Sequence, residues 1–338
     1  MEENAVRNAA EAPAIAQAKP ALKLVKTNDM NREEWLEVRK KGIGSSDAAA
    51  AVGLNPYKSQ LELWMEKTGR DENLPKPDPH DETSPLYWGT LLEPIVAAHY
   101  TKRTGNKVRR VNAVLQHPGE PWMLANIDRE VMGDEQVQIL ECKTAGLQGA
   151  RLWKDGVPEY VQLQVLHQLA VTGKRAADVA VLICGQELQV HRIERDEQMI
   201  SQLLALERAF WCYVESGQAP AADGSDSADR ALRCLYPHDS GQTLDLTGEL
   251  EMSAAFSDLI AVRQVVAEHL KREADLKQRI QQRMGDASRA LFEGGDVSWK
   301  RSKDNNSFDL GRLLRDRPEL AVTYAKAVPG TRRFLVNT

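Results

Sequence analysis

Several features that mark large classes of protein are scarce or missing in this 338-residue sequence. Its four cysteines, Cys142, Cys184, Cys212 and Cys234, are scattered, with no C-x-x-C pair among them. That spacing excludes a disulfide framework, a clustered zinc site and the cysteine set of an iron–sulfur nuclease, and it suits free thiols in a reducing cytoplasm. No stretch stays apolar for the eighteen or so residues that a membrane span needs. Near the start stand Glu2, Glu3 and an alanine-rich run, not the basic and apolar regions of an export signal, so the expected location is the cytoplasm, with no membrane partner. An excess of positive charge is also absent: 44 Lys and Arg stand against 49 Asp and Glu, for a net charge of −5. This argues against a protein coated in nucleic acid, but not against one that meets DNA only inside a channel.

What is present is ordinary for a soluble globular protein, with 42% hydrophobic and 28% charged residues. The length predicts two folded units. Residues 1–28, rich in Ala, Pro and Lys, read as a disordered tail. Residues 29–217 read as one domain, 218–230 as a linker and 231–338 as a C-terminal extension.

Within the first domain, Asn31 and Glu34 have the spacing of a capping box that opens a helix ending at Gly42, and Ser59 with Glu62 repeats the pattern. A helix through Leu92, Val96 and Tyr100 carries Glu93, and Thr90 with Glu93 also fits a capping box. Residues 107–143 predict a β-meander, followed by a helix over 158–172 closed by Gly173. Two strands turning at Gly185-Gln186 and an amphipathic helix over 196–215 complete the domain. In the extension, an apolar stripe from Met252 to Met284 predicts a long exposed helix or a helical hairpin. A β-hairpin around Gly294-Gly295, a short helix and a strand over 332–336 follow.

The chemistry-bearing string is Asp128, twelve residues, then Glu141-Cys142-Lys143. Period two places Glu141 and Lys143 on one face of a strand, and Asp128 at the end of the neighbouring strand can point into the same pocket. Two carboxylates and a backbone carbonyl are the hard oxygen ligands that Mg²⁺ prefers. A metal there activates water and polarises a phosphate, while a lysine offsets developing charge. The alternative is a solvated strand face. Ile139 beside Glu141, with Leu140 on the opposite face, points instead to a partly buried ionic cluster that needs a partner. Taken singly, Glu93 fits a structural cap, Gln164 the rim of a helix core, and Ser45 or Ser46 a helix cap.

In order along the chain, Arg39, Gly44-Ser45-Ser46-Asp47-Ala48, Trp88-Gly89 with Glu93, Asn126-Ile127-Asp128, Glu141-Cys142-Lys143 and Tyr160 with Gln164-Val165 resemble the YqaJ-like viral recombinase family. That family includes the lambda-type exonuclease, of the PD-(D/E)xK nuclease superfamily, and the match spans about residues 31 to 215. The resemblance implies an α+β fold with a central mixed β-sheet flanked by helices, to which the pattern beyond the match adds a C-terminal helical-hairpin plus small β domain. It implies Glu93, Asp128, Glu141 and the Cys142 carbonyl as ligands of two Mg²⁺ ions, with Mn²⁺ able to substitute. Lys143 and Gln164, with Glu141 and Asp128, would be catalytic, and Tyr160 would touch DNA. Arg39, Ser45 and Ser46 would hold the DNA 5′-phosphate, in keeping with bidentate arginine contacts and amides at a helix start.

One departure is that Val161 and Gln162 follow Tyr160 where relatives carry further tyrosines ahead of the glutamine, which weakens the role of Tyr160. By resemblance the activity is 5′-to-3′ resection of double-stranded DNA ends in a bacterial or phage-infected cell. The enzyme would be a trimeric ring, a homo-oligomer, working with a single-strand annealing protein. The competing readings are an endonuclease of restriction or repair type and a non-cleaving recombination scaffold.

Overall fold

A computed structural model describes residues 20–28, 30–328 and 330–337, and they fall into two compact units, the first ending at Pro237 and the second beginning at His238. The first unit is α+β. Its larger sheet has the order β3-β6-β7-β8-β9, formed by Lys107–Arg110, Arg129–Met132, Ile139–Ala145, Ala176–Ile183 and Glu187–Glu194. All neighbours in it are antiparallel except β7 and β8, which run parallel. A parallel pair needs a crossover, and α5 (Glu159–Thr172) supplies it. This helix is buried along most of its length, with Val161, Val165, Leu169 and Val171 fully buried, so it is a core element. Gly173 ends it at φ 68°, the left-handed conformation that a C-terminal glycine adopts without strain.

Alternation along β7 sorts its side chains between two helical layers. Ile139 and Ala145 join the core that contains α5, while Leu140 and Cys142 join the one that contains Val96, Ala97 and Tyr100 of α4 (Pro85–Thr104). Glu141 and Lys143 share the phase of Ile139 and so face α5. The mixed sheet flanked by helices is therefore the observed fold class.

The strands of residues 107–143 do not form one meander. β4 (Ala113–Gln116) and β5 (Met123–Ala125) leave for a second sheet, ordered β1-β4-β5-β2, where β2 is Ile43–Gly44. β4 and β5 are apolar and buried throughout their centres, as strands covered on both faces are, whereas β3 is largely exposed. β1 (Leu22–Lys26) corrects the reading of 1–28 as a disordered tail, because it pairs antiparallel with β4. Residues 1–19 of that tail lie outside the described residues.

Helix α1 (Arg32–Lys40) starts with the full capping box of Asn31 and Glu34. In α3 (Gln60–Lys67) only half of the expected box forms: Ser59 accepts from the Glu62 N–H, but the Glu62 carboxylate takes Ser227 Oγ at 2.6 Å and Arg230 at 2.7 Å instead. These partners sit on α7 (Asp226–Leu235), which docks on α3. The stretch 218–230 is thus not simply a linker, and the boundary moves to Pro237. α6 (Glu197–Ser216) is capped by Asp196.

In the second unit, α8 (Leu250–Met284) is one continuous 35-residue helix. It is followed by the hairpin β10 (Arg289–Phe292) and β11 (Gly295–Ser298), then α9 (Leu310–Asp316) and α10 (Glu319–Thr323). The strand expected over 332–336 is absent among the described residues, which are irregular there and pair with no other strand. No helix among the described residues is long and apolar enough to cross a membrane.

Candidate active site

The site forms where β7 passes the α5 face that carries Gln164 and Gln168. Glu141 is buried, and protein donors surround its carboxylate: Lys143 Nζ and Gln164 Nε2 each donate to Oε1 at 2.6 Å, and Gln168 Nε2 donates to Oε2 at 2.7 Å. Lys143 also donates to Gln164 Oε1 at 2.9 Å, which closes a three-membered Glu141–Lys143–Gln164 cluster. Asp128 does not end a strand but lies between β5 and β6, where its Oδ2 accepts the Cys142 N–H at 2.8 Å. A β7 backbone amide thus holds the first acid beside the second.

The electrostatics are those of two acids served by one cation. Burial and then the Glu141 charge push the Asp128 carboxyl up to about 8, with Glu93 adding to the effect and the Cys142 N–H and Lys143 opposing it. Burial works against the charge on Lys143, but Glu141 and Asp128 outweigh it and hold the ammonium above its usual value. Burial and the same two acids raise the Cys142 thiol well out of the nucleophilic range.

The donor chemistry fits a hard divalent cation, since a positive ion between the two carboxylates would relieve the suppressed ionisation of Asp128. Asp128, Glu141 and the Cys142 carbonyl are the groups placed to hold one. Glu93 is not gathered to the same point: it lies on α4, in mid-helix and not at a cap, and pairs with Arg129 NH1 at 2.5 Å. The helix is capped by Ser84, and the Thr90 hydroxyl turns back to the Leu86 carbonyl, so the capping-box reading of Thr90 and Glu93 fails. Consistent with this, no three Asp, Glu, His or Cys side chains among the described residues converge at metal-ligand spacing.

A second cluster lies at the loop after α1. Arg39 donates to Ser46 Oγ at 2.9 Å and to Asp47 Oδ1 at 2.6 Å, while Lys67 holds Asp47 Oδ2 at 2.7 Å. Burial raises the Asp47 carboxyl, but Arg39 and Lys67 overcome this and drive it far below the carboxylate range. Two cations on one anion leave a net positive charge, with Arg39 still part exposed and Ser46 exposed beside it. Ser45 is buried, and its hydroxyl donates to the Asn126 carbonyl at 3.3 Å, so it ties the loop down and does not face outward. Gly42 lets the loop run against β5, because a Cβ there would sit 2.4 Å from the Trp122 carbonyl oxygen. Gln168 reaches the same Asn126 carbonyl at 3.2 Å, which links this loop to the carboxylates through one peptide. Tyr160 packs edge-on against Tyr57, with ring centroids 5.8 Å apart.

Four residues of this arrangement escape a reading of the sequence: Gln168, Arg129, Asp47 as an anchor, and Lys67. Only Gln168 has a local signal, since Gln164 and Gln168 stand one turn apart on the same helix face. The others are long-range partners.

Behind the site, His167 is fully buried, its Nδ1 2.7 Å from Glu207 and its Nε2 2.9 Å from the Leu124 carbonyl. Both nitrogens lie against oxygen atoms, an arrangement that favours the doubly protonated ring. Burial opposes that charge, and Glu207 and the carbonyl outweigh it, raising the imidazole above its usual 6.5. The resulting stability is complete below about 6.5 and is lost as pH climbs through the folded value. Glu207→Gln is therefore expected to lower the Tm by several degrees at about pH 6 and by clearly less at about pH 9. Thermal unfolding at the two values checks this, and an equal loss at both would contradict it.

Residues 34–175 match the model of the YqaJ-like viral recombinase domain. Over 308 residues the chain is 37% identical to the uncharacterized protein YqaJ of Bacillus subtilis strain 168, covering 90% of this chain and 93% of that one. Among solved structures, an alkaline exonuclease from Laribacter hongkongensis is similar at 23% identity and a TM-score of 0.46, over 55% of this chain and 93% of that one. A phage-related exonuclease from Haemophilus somnus 129PT is similar at 9% identity and a TM-score of 0.38, over 55% of this chain and all of the other.

Proposed function

The chain belongs to the YqaJ-like viral recombinase family, and on that footing we propose that it is a metal-dependent deoxyribonuclease that resects duplex DNA from its ends. The observation that carries the reading is the closed Glu141–Lys143–Gln164 cluster beside Asp128. Asp128, Glu141 and the Cys142 carbonyl would hold Mg²⁺ or Mn²⁺, which would supply activation of water and polarisation of the scissile phosphate. Glu93, if released from Arg129, would be the added ligand that a two-ion site calls for. Lys143, fixed from two sides by Glu141 and Gln164, presents an ammonium to the oxygens where negative charge grows during phosphodiester hydrolysis. Gln164 sets the position of that ammonium, and Gln168 holds the other oxygen of Glu141.

Arg39 and Ser46 are the residues that receive a 5′-terminal phosphate, because the cluster keeps a net positive charge after Asp47 is satisfied. Direction from 5′ to 3′ follows from that assignment. Family resemblance supports a trimeric ring, a single-strand annealing protein as partner and work in the cytoplasm of a bacterial or phage-infected cell. Arg39→Ala, which leaves Lys67 to neutralise Asp47, is expected to remove the preference for phosphorylated ends. Its rate on a 5′-phosphorylated duplex should fall by roughly 10- to 100-fold, the worth of a charged hydrogen bond, with little change on an unphosphorylated one. Comparing time courses on the two substrates tests the assignment, and an equal loss on both would refute it.

A further inference from the structure

Tyr57 is 62% exposed, although the turn that carries it is firmly held. Asn55 Oδ1 accepts the N–H groups of Tyr57 and Lys58 at 2.8 and 3.1 Å, and Lys58 Nζ donates to both oxygens of Glu66 at 2.7 and 2.8 Å. The Tyr57 ring meets Tyr160 edge-on, with the two planes 84° apart. An aromatic surface is thus kept open to solvent in one orientation, so a flat partner binds it with little further loss of freedom.

Both charged clusters of the site lie close to that ring. Tyr160, Gln164 and Gln168 recur every fourth residue along α5 and so form one stripe. Gln164 and Gln168 are the members of it that hold Glu141. Burial raises the Tyr160 hydroxyl, Tyr57 adds to the effect and Lys143 opposes it, so the tyrosine pair and the catalytic ammonium share one neighbourhood. Toward the loop after α1, Glu66 is followed on α3 by Lys67, which holds Asp47. Against its burial, the Asp47 carboxyl is kept low by Arg39, by Lys67 and then by Lys58, the neighbour of Tyr57. A strand whose 5′-phosphate rests on Arg39 and Ser46, and whose next phosphate reaches Lys143, leaves a single base to be placed between them. We propose that the base of the 5′-terminal nucleotide stacks on Tyr57, with Tyr160 bracing the ring. Every base has a π-face, so such a stack holds the strand end without selecting its sequence.

The inference rests on the proposed resection from 5′ ends, and release of a labelled 5′-terminal nucleotide by the full-length protein in Mg²⁺ tests it. Two 5′-phosphorylated duplexes are compared, one with a normal terminal nucleotide and one with a stable abasic analogue in its place. The ratio of the two rates is expected to be roughly 5- to 150-fold larger for the wild type than for Tyr57→Ala, the effect of removing one base–aromatic stack. Taking a ratio cancels any loss of folded protein. Tyr57→Phe and Tyr57→Trp should keep the wild-type ratio, and Tyr57→Leu should not. Equal ratios for the wild type and the alanine variant, or a phenylalanine variant that matches alanine, would overturn the stacking role and leave the nuclease reading standing. A wild type that releases the labelled nucleotide from neither duplex would overturn both.

Discussion

Lys143→Ala is expected to fold and to release nucleotides from linear duplex DNA in Mg²⁺ at least about 10²- to 10³-fold more slowly than the wild type, the loss that follows removal of one preorganised group at a developing charge. The geometry makes the residue hard to replace. Its ammonium is held at 2.6 Å by Glu141 and at 2.9 Å by Gln164, so it is fixed before substrate arrives. Glu141 keeps its bonds from Gln164 and Gln168 in the variant, and Asp128 can retain a proton, so the fold does not depend on the lysine. Lys143→Arg is expected to recover little, because a planar fork cannot meet two acceptors placed for a compact ammonium. Nucleotide release, read beside circular dichroism and thermal unfolding, checks both variants. Near-wild-type release by the alanine variant would remove the cluster from the chemistry.

Asp128→Asn should separate stability from function. The Asp128 carboxyl is raised from 3.8 to about 8, chiefly by burial and by Glu141. The folded chain therefore holds a proton there that the unfolded chain releases, and stability falls as pH climbs from about 4 to about 8. The amide cannot carry that charge, yet its oxygen can still accept the Cys142 N–H. In EDTA at about pH 8 the variant is expected to be more stable than the wild type by about 2 kcal/mol, a rise of several degrees in Tm, with the gap closing toward about pH 4. Mg²⁺ should raise the Tm of the wild type and not that of the variant, and the variant should not cleave. A variant less stable than the wild type in EDTA at that pH would mean that the two carboxylates do not oppose each other.

These two residues also show what a sequence makes legible and what it hides. The common face of Glu141 and Lys143 follows from the two-residue period of a strand, and the Asn31 cap and the Gly173 stop follow from local backbone chemistry. Each of these is decided within a few residues. The split of residues 107–143 between two sheets is not, because strand partners are chosen by burial across the whole unit. β1 reads as tail until β4 offers it an edge, and α7 reads as linker until Glu62 meets Ser227 and Arg230. Glu93 illustrates the same limit, since its spacing from Thr90 mimics a cap while its carboxylate is spoken for by Arg129, 36 residues away. The link between the two halves of the site, the Asn126 carbonyl shared by Ser45 and Gln168, has no trace in local pattern at all.

The most direct test offers the protein linear duplex DNA and the same sequence as a covalently closed circle, each with Mg²⁺ and each with EDTA. The account predicts that the linear molecule is degraded from its ends, faster when 5′-phosphorylated, that the closed circle stays intact, and that EDTA stops all cleavage. Cutting of the closed circle at a comparable rate would make the protein an endonuclease, and the absence of cleavage from both would make it a non-cleaving member of its family.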